Sequence, residues 1–185
     1  MKNDLSNIRR GGVDSEPPSL ELLENPLDFI KEDHMHMRAV CEMIDRLAKD
    51  PAPDPVKVTK VLTFLDHEID LLIHDEDDDL RELLLSRCTP EDDIAETLDR
   101  MRTEHVILAG MMPKLRQNLA AMHDGPCAAK KDVATALHDF ADRLRRHLLV
   151  ENAIVLPFAR ARLTTDDVAL LRASMIRRRI QRMES

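Results

Sequence analysis

Four segments of the chain carry apolar residues at alternating intervals of three and four residues, and ionisable side chains interrupt each series at one level. This spacing lays one apolar stripe along each of four helices, and such stripes become buried by packing around a common core. The interruptions are His34, Glu76, His105, His147 and Glu151. Any fold for this chain must therefore hold ionisable groups in the middle of an otherwise apolar core.

Proline residues that follow capping side chains mark the starts of the helices. Asn25-Pro26, Asp54-Pro55 and Thr89-Pro90 predict where the first three helices begin. A fourth helix is predicted from about Lys130 to Pro157 or a little beyond, and a fifth from the capping segment at Thr164 towards Arg182. The sequence thus predicts an all-α fold, an up-down-up-down four-helix bundle with an additional C-terminal helix.

The same boundaries divide the chain into three parts. We predict a poorly ordered N-terminal tail over residues 1–24 and the bundle over residues 25–160. Residues 161–185 are predicted to form a C-terminal helix that packs on the bundle or extends from it.

The interruptions are predicted to lie at one height in the bundle, because residues equidistant from a turn face each other. The predicted turn near residue 53 places His34 opposite the low seventies, close to Glu76. The predicted turn near residue 89 places Glu76 opposite a position about one helical turn from His105. The predicted turn near residue 126 places His105 opposite His147. Glu151 lies four residues after His147, on the same helix face. Three imidazoles and two carboxylates should therefore meet in one layer of the core.

A layer of this composition predicts a metal ion. Two ionised carboxylates in an apolar core need a compensating positive charge, and no Lys or Arg lies on the four stripes at this level. Imidazole nitrogen with carboxylate oxygen is a ligand mix that suits iron, manganese or zinc. The chain has no Glu-x-x-His pair, which disfavours the ferritin type of di-iron bundle.

Four segments of the chain resemble the hemerythrin family, in particular the bacterial hemerythrin-like (HHE, cation-binding) domains. The segments are EDHMHMRAVC, FLDHEIDLLIHDEDDDL, RTEH and RRHLLVENAIVLPFARARL. That family carries a His on its first helix, His-x-x-x-Glu on the second, a His on the third and His-x-x-x-Glu on the fourth. The resemblance implies one or two non-haem irons, with Glu76 and Glu151 as bridging carboxylates and His34, His105 and His147 as terminal ligands.

The chain departs from the family pattern at one position. The second-helix His would stand four residues before Glu76, where this sequence has Leu72. His74 is the alternative sixth ligand, but it lies about 200° around the helix from Leu72, and only a local π-bulge would turn it inward. With five protein ligands there are two alternatives. Either two irons are bound and the site has an extra open coordination position, or one of the irons is weakly bound or absent.

Composition excludes several classes of function. The four Phe, without Tyr or Trp, exclude the aromatic stacking surfaces of single-strand nucleic-acid binders, and the net charge of −8 argues against a nucleic-acid partner. The four Gly form no phosphate-binding loop. We expect no membrane span and no secretory signal, because no apolar run is long enough. The three widely spaced Cys are expected to be reduced thiols in a cytoplasmic protein.

Other polar features have simpler expected roles. Four histidines lie off the stripes and are expected at the surface: His36, His67, His123 and His138. The acidic run at residues 75–79 is expected to be a solvated face around the inward Glu76. Seven Arg between residues 160 and 182 make the last helix and the segment just before it basic. The last helix has two possible roles. It is either an amphipathic helix docked through Val168, Leu171 and Met175, or an arm that binds a protein partner.

The predicted function follows from the metal layer. Open coordination positions on iron among apolar side chains suit dioxygen, nitric oxide or peroxide. We therefore predict a protein that senses or responds to dioxygen, nitric oxide or redox state, with no catalytic residue assigned. Two alternatives stay open: a metal-depleted bundle that acts through protein partners, which Leu72 favours, and a di-iron enzyme that consumes peroxide or nitric oxide.

Overall fold

The computed structural model describes residues 16–124 and 129–184, and in this part of the chain there is no β-strand. The main helices are α1 (Pro26–Leu47), α2 (residues 55–87), α3 (Ala95–Asp124), α4 (residues 131–162) and α5 (Thr165–Glu184). The first four form a ring in which each contacts its neighbours in the chain and α4 returns to α1. The predicted all-α bundle with an additional C-terminal helix is confirmed.

Side-chain caps fix the first two helix starts where they were predicted. The side chain of Asn25 accepts the backbone N–H of Asp28 at the start of α1, and Asp54 accepts that of Val56 at 2.9 Å at the start of α2. Each cap satisfies a backbone donor that has no partner within its helix. The two helices therefore begin at Pro26 and Pro55.

The predicted start of the third helix at Pro90 is wrong. Pro90–Asp92 form a single 3₁₀ turn, which the Asp92 carboxylate closes by accepting the Thr89 N–H at 2.8 Å. Asp93 follows in the left-handed region, with φ 50°, a conformation that Asp tolerates better than most residues and that ends a helix. The third helix α3 begins only at Ala95.

The N-terminal tail predicted for residues 1–24 also needs correction. Leu20–Glu24 form a 3₁₀ helix in which Leu23 is buried, and Arg172 of α5 donates to the Leu23 carbonyl at 3.2 Å. This segment is held against the fold by that contact, and the rest of the predicted tail, residues 1–15, lies outside the described residues.

Two of the bundle helices contain π-helical turns, which hold one more residue than an α-helical turn between bonded groups. In α2 these turns are Phe64–Glu68 and Asp75–Leu80, and in α4 the turn is Glu151–Val155. The extra residue moves the buried positions one residue along the chain. Leu84 and Val155 are buried, whereas a regular alternation of three and four residues would bury Leu83 and Ile154, and Ile154 is 38% exposed.

The C-terminal helix α5 packs against the bundle through both apolar and charged contacts. Of the three predicted docking residues, Leu171 and Met175 are buried and Val168 is partly buried. Arg178 and Arg179 form ion pairs with the fully buried Asp75 of α2, and the Arg179 guanidinium lies 4.7 Å from the centre of the Phe29 ring. These cation–carboxylate contacts fix α5 on the face formed by α1 and α2.

The acidic run at residues 75–79 is therefore not the solvated face that was predicted. Asp75 and Glu76 are both buried, and Asp79 is held by Ser174 and Arg178, each at 2.8 Å. Asp78, whose side chain is 60% exposed, does face solvent. The prediction failed because the arginines that neutralise this run lie on α5, a distant part of the sequence.

No helix in residues 16–124 and 129–184 is both long enough and apolar enough to cross a membrane.

Candidate metal centre

The five residues predicted from the stripes meet in one layer of the bundle. His34 comes from α1, Glu76 from α2, His105 from α3, and His147 and Glu151 from α4, and all five are at most 4% exposed. The candidate ligand atoms of Glu76, His105, His147 and Glu151 lie within 4.8 Å of one another. His34 joins them through its Nε2 atom, which is 3.0 Å from Glu76 Oε1.

The carboxylate of Glu76 lies between two histidines and turns one oxygen towards each. Oε1 is 3.0 Å from His34 Nε2, and Oε2 is 3.3 Å from His105 Nε2. Glu76 therefore presents one carboxylate oxygen to an imidazole of α1 and the other to an imidazole of α3.

Glu151 occupies a similar intermediate position. Its Oε2 lies 3.4 Å from His34 Nε2 and 3.2 Å from His147 Nε2. His147 and His105 bring their Nε2 atoms to 2.8 Å from each other, with ring centres 4.4 Å apart. The two carboxylates therefore separate His34 on one side from a closely spaced His105–His147 pair on the other.

Both carboxylates lie in π-helical turns. Glu76 is the second residue of the turn Asp75–Leu80, and Glu151 is the first residue of the turn Glu151–Val155. Such turns are rare in helices and are frequent at functional sites, because they rotate a side chain away from the regular helical register. Pro157, just after the second turn, lacks an N–H and cannot take part in a regular α-helical ladder there.

The pKa values of His34, His105 and Glu76 are shifted by burial and by one another. Burial alone would lower the pKa of His34, but its hydrogen bond with Glu76 and the charge of Glu151 raise it to about 9. Burial alone would likewise lower the pKa of His105, whereas the hydrogen bond with Asp77 and the neighbouring Glu76 carboxylate raise it to about 10. For Glu76 burial would raise the pKa, but the two imidazoles hold it well below its ordinary range. In the metal-free protein, protonated imidazoles thus balance the charge of the buried carboxylates.

Several buried polar atoms of the layer lack hydrogen bonds. Within the described residues, Glu76 Oε2, Glu151 Oε2, His34 Nδ1 and His147 Nδ1 have no hydrogen-bond partner. Buried acceptors without partners are costly, and two of these atoms are carboxylate oxygens that point into the cluster. This donor set of imidazole nitrogen and carboxylate oxygen fits a transition-metal ion.

Asp77 contributes a contact that the sequence analysis did not assign. Its Oδ1 lies 2.9 Å from His105 Nδ1, the ring atom opposite the one that faces the cluster. A carboxylate on the far nitrogen fixes the orientation of a ligand imidazole and makes it more basic. The signal in the sequence is the position of this aspartate directly after Glu76, within the acidic run.

The position where the chain departs from the family pattern is apolar, as predicted. Leu72 is 3% exposed, one helical turn before Glu76. His74 does not join the cluster, because its side chain is 58% exposed and its Nδ1 lies 2.8 Å from Asp78 Oδ2. A π-helical turn does follow His74, but it turns Asp75 and Glu76 inward rather than His74.

The four histidines predicted at the surface differ in exposure. His67 and His123 are exposed, and His138 is partly buried against Asp45. The prediction for His36 is wrong: it is 7% exposed, and its Nε2 lies 2.7 Å from Glu68 Oε2. Glu68 closes the first π-helical turn of α2, which the sequence analysis did not foresee.

Comparison with known proteins gives one result. The family model of the hemerythrin HHE cation-binding domain matches residues 25–159, which include all five clustered residues. Searches among curated proteins and among solved structures find no significant match. The match covers most of the chain and agrees with both the bundle and the buried His/Glu cluster. The chain therefore belongs to the hemerythrin HHE cation-binding domain family.

Proposed function

We propose that the protein binds non-haem iron through His34, Glu76, His105, His147 and Glu151. The observation that carries this proposal is the convergence of these side chains, buried and with unsatisfied carboxylate oxygens, in one layer of the bundle. Iron is the metal most often associated with this family, and the nitrogen and oxygen donors suit it, although manganese and zinc accept the same donors.

We further propose two metal positions of unequal strength. Support comes from the two carboxylates, which lie between His34 and the His105–His147 pair. The position beside His105 and His147 has two imidazoles and is expected to fill first. The position beside His34 has one imidazole, because Leu72 replaces the other, and is expected to be weaker and to retain more open coordination positions.

The proposed role is to sense or respond to dioxygen, nitric oxide or redox state. Iron in such a position supplies redox change and open sites for small ligands. The residues of this chain would orient the metal, exclude bulk water by burying the layer, and hold protons on His34 and His105 until a metal displaces them. A di-iron enzyme that consumes peroxide or nitric oxide is the alternative use of the same centre.

The proposal is tested by purifying the protein in air and measuring metal content, absorption and thermal midpoint together. We expect between one and two irons per chain, near-ultraviolet charge-transfer absorption, and a midpoint that falls on chelation because the metal binds the folded state. His74→Ala is the matched control, since its imidazole is exposed and outside the cluster.

Two outcomes would favour other functions. A chain that takes up no iron, manganese or zinc, and whose stability chelators leave unchanged, would favour a metal-depleted bundle that acts through protein partners. Loss of added peroxide or nitric oxide over many turnovers by iron-loaded protein would favour the enzyme.

A further inference from the structure

A cavity of about 520 Å³ lies where α1, α2 and α5 meet the segment that precedes α1. None of the five proposed metal ligands lines it, so it is separate from the buried His/Glu layer. Its wall is largely apolar, with Leu20, Phe29 and Leu71 among the lining residues. A cavity of this volume, apolar with a few polar groups, is typical of sites that bind small organic molecules.

One residue of this wall, Asp33, is a buried acid without a partner. It is 6% exposed, and no hydrogen bond or ion pair joins its side chain to another residue in the described parts of the chain. It follows Phe29 by four residues, so both lie on the face of α1 that contributes to the wall. Among the charges that act on its carboxylate are those of Glu68 and Arg179, which line the same cavity. The Asp33 carboxylate therefore belongs to the cavity and lacks a donor.

The other charged groups of the wall already have partners. Arg179 pairs with Asp75 at 2.8 Å, and Arg182 donates to a backbone carbonyl of α2. The second acid, Glu68, contacts a histidine of α1 at 2.7 Å. What the wall lacks is thus a donor for Asp33, because a buried carboxylate is unfavourable until it is hydrogen-bonded or paired with a cation.

An ammonium group would meet this need best. It carries the compensating charge and three N–H donors, and hydrogen bonds between ionised partners are stronger than those between neutral ones. The apolar part of the wall would at the same time cover a hydrophobic body attached to the amine. An anionic ligand would instead have to lie beside two carboxylates, those of Asp33 and Glu68.

We propose that this cavity binds a small organic cation, a primary amine with an aromatic or aliphatic body, and that Asp33 receives its ammonium group. Phe29 and Leu71 would contact the body of the ligand. This site is additional to the proposed metal centre and does not depend on metal binding.

The test uses the fluorescence anisotropy of tryptamine titrated with the full chain. Because the chain contains neither Trp nor Tyr, the indole emission of the probe is read without protein background. The neutral indole-3-ethanol and the anionic indole-3-propionate carry the same ring. We expect tryptamine to bind about ten-fold or more tightly than either, the difference that a charge-assisted hydrogen bond supplies.

Asp33→Asn removes the charge and keeps the size of the side chain. We expect it to weaken tryptamine binding about ten-fold or more, while the affinity for indole-3-ethanol changes less than about three-fold. Glu32→Gln is the matched control, because it removes the same charge from an exposed neighbour on α1, and it should leave both affinities unchanged.

A second variant tests the cavity without touching Asp33. Leu71→Lys keeps an apolar stem on a partly buried residue of the wall and brings an ammonium of the chain itself to the cavity. It should weaken tryptamine binding about ten-fold or more and affect indole-3-ethanol less, since like charges repel. This variant decides the question if Asp33→Asn fails to fold.

Three results would overturn the proposal. Absence of any rise in tryptamine anisotropy up to millimolar protein would show that the cavity is not such a site. Tighter binding of indole-3-propionate than of tryptamine would show that the arginines of the wall, rather than Asp33, select the ligand. A tryptamine affinity of Asp33→Asn within two-fold of the wild type would remove the assigned role of Asp33.

Discussion

Replacing Leu72 with histidine tests the proposed centre at the position where the chain departs from its family. Leu72 is buried and one helical turn before Glu76, so an imidazole there would lie on the same face of α2 as the Glu76 carboxylate. It would add a second histidine on the side where His34 is the single imidazole of the cluster. Leu72→His should therefore raise the iron content towards two per chain.

The energetic effect should depend on the metal. Truncating a buried leucine to alanine costs about 2–5 kcal/mol, and a histidine ring fills part of the space but brings polar atoms that need partners. We expect Leu72→His to lower the free energy of unfolding of metal-free protein by about 1–3 kcal/mol. In iron-loaded protein a coordination bond satisfies the ring, so this loss should shrink or reverse.

Denaturant unfolding and iron analysis of both proteins, with and without iron, measure these effects. Leu65→His is the matched control, because Leu65 is also fully buried in α2 but lies two helical turns before Leu72. It should be destabilised in both states with no recovery by iron. An equal loss for Leu72→His with and without iron would refute the reasoning, as would a wild type that already holds two irons and gains none.

Three further predictions concern the centre. Asp77→Asn should weaken metal affinity about 10–100-fold, because it removes the carboxylate that orients His105; competition with a chelator measures this, and an unchanged affinity would contradict the role. His147→Ala should lower the thermal midpoint of metal-loaded protein and abolish its dependence on chelators, whereas His74→Ala should do neither. The pKa values of His34 (about 9) and His105 (about 10) exceed the ordinary histidine value of 6.5, so these imidazoles stabilise metal-free protein below pH 6.5, and this contribution is lost as the pH rises through 9–10. Metal addition at pH 8 in weak buffer should accordingly release about two protons, and release of none would show that the imidazoles are already neutral.

The convergence of the buried His and Glu side chains could be predicted from the sequence because ionisable residues on an apolar stripe are conspicuous. Each helix carries a regular series of apolar positions, and the turns between helices set the relative heights, so His34, His105 and His147 could be aligned by counting residues. The counting had a tolerance of about one helical turn, which is enough to identify a layer but not to say which oxygen faces which ring.

The shifted core positions of α2 and α4 share a physical origin in the π-helical turns. An alternating spacing of three and four residues, continued along α2 and α4, would bury Leu83 and Ile154, whereas the structure buries Leu84 and Val155. Successive intervals of four residues, as from Glu76 through Leu80 to Leu84, are the sequence signal that was missed. Such a run exceeds the α-helical period and indicates a local widening of the helix.

The acidic run was misread for a different reason, since its partners lie about a hundred residues away. Successive carboxylates of one π-helical turn point in different directions: Asp75 faces α5, and Glu76 faces the metal layer. Asp75 and Asp79 are neutralised by Arg178 and Arg179, whereas Glu76 has no Lys or Arg partner among the described residues. Because buried carboxylates so close together would repel one another, the basic helix is needed to offset the outer two. Glu76 must then be neutralised by protonated imidazoles in the metal-free protein, and by a metal ion when one binds.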